Sequence, residues 1–207
     1  MKSNADLKFL SVYANDDFKA SLRKLSEQQE ASVFRVDSEV EARQLKIRGF
    51  MHSGEHFVAV LLAAVDFERT VRRAIISLGV TPTKELAMKL GRRERGLGKS
   101  VSVDVRSRYG ASLDGYRKAW RDEIVVGRKL DTGLNDVIPH VERLEKAINL
   151  RHELVHGDSG VVGAKHAETQ VEIMMEATRA IDAFARQHGV DLTKRIKVRR
   201  KHRNPNK

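Results

Sequence analysis

The sequence predicts an all-α protein: an antiparallel helical bundle built on two or three long helices. Apolar residues recur at helical spacing along most of the 207 residues. The length suits one domain with a small appendage and is enough to bury a core. Strand signals are confined to Ser32-Val33-Phe34-Arg35-Val36, a short strand or extended link that is too little to build a sheet.

The elements follow in order. Asn15 caps an expected helix with Phe18, Leu22 and Leu25 on one face. Ser38 and Glu41 have the capping-box spacing and open a second helix ending near Gly49. Glu55 to Leu78 reads as the first long helix, with Phe57, Leu61, Val65, Val71, Ile75 and Leu78 as its stripe and Gly79 as its stop. Glu68 lies on that stripe, where an apolar residue is expected. Pro82 suits the first turn of a short helix ending at Gly91. From Gly91 to Gly110 the pattern is irregular and basic. Gly96-Leu97-Gly98-Lys99-Ser100 looks like part of a phosphate loop, but Arg93 stands where that motif needs glycine, and no buried strand precedes it. Leu113, Tyr116, Trp120 and Ile124 mark another helix. The next starts between Asp136 and Pro139 and runs to His156, with the stripe Val141, Leu144, Ile148, Arg151 and Val155. The last, Ala164 to His188, carries Val171, Met174, Ile181 and Phe184 and stops at Gly189. These patterns divide the chain into an N-terminal helical extension (1–54), a helical bundle (55–191) and a basic C-terminal tail (192–207).

Charge and composition narrow the function. The formal charge is +11, yet eight of the 39 basic residues fall in the last 14 positions, which hold no acid, leaving 31 basic against 28 acidic residues elsewhere. Lys194, Arg195, Lys197, Arg199, Arg200 and Lys201 are therefore the candidate RNA-binding residues, because clustered cations gain affinity by displacing phosphate counterions. A solvated end is the alternative for the same run. No apolar run approaches the roughly 20 residues that span a bilayer. Met1 to Asn15 carries Lys2, Asp6 and Lys8 and has no signal-peptide core. Cysteine is absent, which excludes disulfides and thiolate metal sites and fits a cytoplasmic location.

The chemistry concentrates in Arg151-His152-Glu153-Leu154-Val155-His156-Gly157. Two readings compete. His152-Glu153-Leu154-Val155-His156 matches H-E-x-x-H, in which histidines four apart on a helix share one zinc and the glutamate acts as general base. Glu176 is the candidate third ligand. Gly157 and Asp158 follow at once where such a helix would continue, Glu176 sits between Met175 and Ala177 on a packing helix, and no sheet is expected to hold substrate. The second reading takes Arg151 and His156 as R-x-x-x-x-H at a helix C-terminus. A histidine titrates near neutral pH and moves protons, while an arginine fork matches phosphate oxygens.

With His152 in the polar slot, the string Asn149-Leu150-Arg151-His152-Glu153-Leu154-Val155-His156-Gly157 resembles the motif of the HEPN family, all-helical ribonucleases of toxin–antitoxin and antiviral systems. The resemblance covers roughly Glu55 to His188. It implies two long antiparallel central helices and a homodimer whose two motifs form one composite site. It also implies metal-independent cleavage of RNA by 2′-hydroxyl attack, leaving a 2′,3′-cyclic phosphate, with no cofactor. Arg151 would clamp the scissile phosphate, His156 would move the proton, and His152 would orient the pair; Glu68 and Glu153 are candidate supports. An antitoxin or defence-system protein is an implied partner. The subgroup paired with nucleotidyltransferase antitoxins often has a tyrosine two residues past the histidine; Asp158 stands there, so modification at that position is not expected. The alternatives are a non-catalytic RNA- or protein-binding helical module and the zinc hydrolase.

Overall fold

A computed structural model describes residues 40–91, 109–110, 112–156 and 162–200. Every regular element among them is helical, so the all-α expectation is met. The expected Asn15 helix, the Ser32–Val36 link, the Ser38 cap, most of the basic 91–110 stretch and Lys201 lie outside the described residues. Among those described, no helix is long and apolar enough to cross a membrane.

The helices are α1 (Val40–His52), α2 (His56–Leu78), α3 (Thr83–Lys89), α4 (Leu113–Trp120), α5 (Leu134–Val137), α6 (Val141–His156) and α7 (Ala164–Gln187). Helix α2 is the centre. Its alanines, valines and isoleucines are buried on nearly every side, from Ala59 through Phe67 and Val71 to Leu78. A helix apolar all round must be surrounded, and α1, α3, α4, α6 and α7 all pack on it. Part of the predicted N-terminal extension shares this core, since Ile47 of α1 is buried in it.

Burial on every side also traps charge. Asp66 is held by the Arg43 guanidinium of α1, yet burial dominates and raises its pKa above the ordinary 3.8, with nearby Asp182 adding to the rise. Arg73 donates to the carbonyls of Leu192, at 2.8 Å, and Lys194. These contacts set the directions of the helices. Helix α1 returns tightly into α2, with Arg43 beside Asp66. Gln44 of α1 donates to the Met175 carbonyl while Arg48 reaches Glu172, so α1 is antiparallel to α7 as well. The two longest helices, α2 and α7, therefore run in the same direction.

Other expectations shift for local reasons. Pro82 sits at the N-cap of α3 rather than inside its first turn. The helix expected to start between Asp136 and Pro139 starts at Val141 instead. Leu134–Val137 forms a separate turn, Ile138 is extended at φ −88, ψ 121, and His140 is left-handed at φ 53. Proline disfavours the helical conformation in the residue before it, which breaks the run at Ile138. The helix of Leu113 to Ile124 changes at Arg121 into a π-helical turn running to Val126. Trp120, at the junction, is buried, donates to the Thr132 carbonyl at 3.0 Å and packs on Phe184 with ring centres 5.1 Å apart.

The π-helical turn places Glu123, only 3 % exposed, under the end of α2. Its carboxylate accepts from the amides of Val80 (3.0 Å) and Thr81 (2.8 Å) and from the Thr81 hydroxyl (2.6 Å). Gly79 is needed here for space. Its φ is an ordinary −62, but a Cβ would stand 2.6 Å from the Ile75 carbonyl and 2.7 Å from Leu86. From the other side Arg199 donates to the carbonyls of Ile76, Ser77 and Thr81. The C-terminal segment is thus an extended strap as far as Arg200. Leu192 and Ile196 are buried, and Arg199 exchanges backbone contacts with Thr83: its carbonyl accepts from the Thr83 amide and its amide donates to the Thr83 hydroxyl at 2.7 Å.

Candidate active site

Helix α6 buries Leu144, Ala147, Ile148 and Leu154. Arg151 is three residues beyond Ile148 and shares their face, so the packing stripe carries its guanidinium inward to 8 % exposure. Facing it is Glu68 of α2, between buried Ala64 and Val71 and 9 % exposed. Arg151 Nη2 stands 3.9 Å from Glu68 Oε1. That distance is an ion pair but exceeds hydrogen-bond length. Two irregular positions in two separate stripes, an arginine and a glutamate, thus answer one another across the α2–α6 contact.

His152, the next residue, is exposed. Its Nδ1 lies 3.3 Å from Arg151 Nη1. Because arginine has no acceptor, this contact requires a lone pair on Nδ1, and a proton placed there breaks it. His152 is therefore joined to Arg151 only in its Nδ1-unprotonated form. Glu153 is exposed on the far face and makes no hydrogen bond or ion pair among the described residues. His156 is the last residue of α6; its side chain lies outside the described residues.

The structure thus brings together Arg151, His152 and Glu68 and leaves Glu153 apart. Of the zinc set, His152 is on the outer surface of α6 and Glu176 is half-buried on α7. Among the described residues no three His, Asp or Glu side chains gather closely enough to hold a metal ion.

The candidate RNA-binding residues divide. Arg195, Lys197 and Arg200 are exposed, and Lys194 is exposed while pairing with Asp191 at 3.5 Å. Arg199 is committed to the end of α2, so it is a structural cap rather than a free cation. Burial lowers its pKa, Arg128 nearby lowers it further, and Glu123 acts against both. The signal for this docking was in the tail all along: Leu192 precedes the basic run and Ile196 interrupts it, and both are buried.

No family model, curated protein or solved structure matches this chain.

Proposed function

We propose that the protein is a metal-independent endoribonuclease of HEPN type, a toxin or antiviral effector that works as a homodimer. One observation carries the reading: Arg151 is placed against Glu68 in the last turns of a helix that ends on His156. The carboxylate faces the guanidinium at 3.9 Å and helps to hold it in position. A second copy of the helix end would complete the site. Arg151 then stabilises the charge that builds on the phosphorane, His156 takes or returns the proton of the 2′-hydroxyl, and His152 holds Arg151 through Nδ1. The exposed Arg195 and Lys197 add non-specific attraction for RNA. The reading rests on this motif and not on the two longest helices, which run in the same direction.

The test is incubation of the full chain with labelled RNA in EDTA, beside Arg151→Ala and His156→Ala. Wild type should leave 2′,3′-cyclic phosphate ends, and each variant should slow cleavage by roughly 10²–10⁴-fold. Intact RNA in the wild-type lane would overturn the enzymatic reading. A second reading is favoured by the burial of both Arg151 and Glu68 within one chain: a structural ion pair in a binding module. It expects salt-dependent RNA binding with no cleavage.

A further inference from the structure

The end of α2 opposite the candidate active site has an apolar surface inside a cationic rim. An open groove of about 560 Å³ is lined by Pro82, Lys84, Val198, Arg199 and Arg200, and its walls are almost wholly apolar. Val198 is 51 % exposed and Val80 equally so, while Val126 reaches 67 %. Val80 and the turn after Val126 are in contact, since a Cβ on Gly127 would lie 2.7 Å from Val80 Cγ2. The strap's contacts with Thr81 and Thr83 hold Val198 beside this stretch. Pro82 and Val198 thus form the apolar strip of the groove, with exposed Val80 two residues before Pro82.

The rim has a single sign where the groove opens. Lys84 and Arg200 stand on its edge, and exposed Arg128 is close enough to Arg199 to act on it electrostatically. Arg199 itself is fixed by the carbonyls of Ile76 and Ser77, so the strap that builds the groove is clamped in place. An aliphatic floor rewards an aliphatic side chain that leaves water. A cationic rim selects acidic neighbours around that side chain and repels basic ones.

We infer that this strip is a docking site for an acidic protein segment carrying aliphatic anchors. Nucleic acid would share the rim but not the floor. Single strands bind on aromatic platforms, and none of the groove's lining residues is aromatic. The groove lies beyond Leu78, and α2 alone puts about 15 Å between Leu78 and Glu68, ten residues at the helical rise. Arg151 and Glu68 do not line this groove, and the inference stands whether or not the protein cuts RNA.

The test uses the full chain and a fluorescent peptide alternating leucine and glutamate, read by anisotropy. Controls are the same peptide with serine for leucine, the same with lysine for glutamate, and a labelled oligouridylate. Wild type should prefer the leucine–glutamate peptide to either altered peptide by about tenfold or more. Val198→Asp should weaken that binding about tenfold by charging the floor, and Lys84→Glu with Arg200→Glu should do so by inverting the rim. All three residues are at the surface, and unchanged thermal melts would show that the fold is kept. Absence of peptide binding, equal binding of the serine peptide, or displacement of the peptide by oligouridylate would each overturn the inference. So would a dimer that weakens on Val198→Asp, which would make the strip a contact between two copies.

Discussion

Two helix ends in this molecule use the same residue types in opposite ways. At the end of α2, Glu123 and Arg199 close every gap. The carboxylate takes three donors at 2.6 to 3.0 Å, and the guanidinium spans two carbonyls left over by the helix and that of Thr81 beyond it. At the end of α6, Arg151 and Glu68 face each other at 3.9 Å, and the adjoining contact to His152 depends on where one proton sits. Short bonds to backbone groups turn charge into rigidity. A side-chain ion pair at 3.9 Å fixes its partners less rigidly than such bonds do. Identical chemistry on the residue list thus gives a lock in one place and a candidate working site in the other.

Conservative and radical substitutions should separate the two ends. The largest expected effect is on cleavage by Arg151→Lys. This variant keeps the charge that answers Glu68, so its melting temperature should stay near wild type. Loss of the planar fork should slow RNA cleavage by about 10²-fold. Glu123→Ala should do the reverse. It strands two amides and a hydroxyl in a part-buried place, costs about 3 kcal/mol, and lowers the melting temperature by roughly 6–12 °C. Cleavage per folded molecule should be unchanged. If Arg151→Lys melted early and still cut RNA normally, the comparison would collapse into two structural locks.

A smaller effect tests how tightly the α2 end is closed. Gly79→Ala puts a methyl group against the Ile75 carbonyl and Leu86, and such overpacking costs about 1–3 kcal/mol. A chemical-denaturation midpoint equal to wild type would show that this end yields more than its spacing implies.

The smallest effect concerns Asp66, which belongs to neither end and shows what burial alone does. Its folded-state pKa is raised, chiefly by desolvation and further by Asp182. Its favourable contribution is therefore complete below the unfolded value, near 3.8, and is lost as pH rises through the higher folded value. At neutral pH the charged form is a net burden in spite of Arg43. Asp66→Asn should accordingly melt no lower than wild type at pH 7, and any advantage should vanish as the pH falls toward 4. A variant that melts well below wild type at neutral pH would show that the Arg43 contact outweighs burial.

Much of the helical frame was legible because it depends on local rules. The stripes of α2, α6 and α7 announce three long helices, and the two charged interruptions, Glu68 and Arg151, mark where those helices meet. The candidate site was legible for the same reason: a charge that breaks an apolar stripe must find a partner. What escaped the sequence is non-local or depends on a single backbone choice. Pro139 was read as part of a helix start, but its effect on Ile138 delays that start to Val141. The π-helical turn has no periodic signature in six residues. The direction of α7 relative to α2 is fixed by Gln44 and Arg48 of α1, over separations that no local pattern reports. Eight cations dominated the reading of the tail, and Leu192 and Ile196, the apolar residues that dock it, were outnumbered.

The strap also bears on how the protein should be handled. Composition invites a cut after Asp191, where the last helix is over and the basic run begins. A chain trimmed there loses Ile196 from the core and leaves the carbonyls of Ile76 and Ser77 without Arg199. The smallest fragment that preserves the central helix therefore extends to Arg200, and a fusion partner or affinity handle belongs beyond that residue.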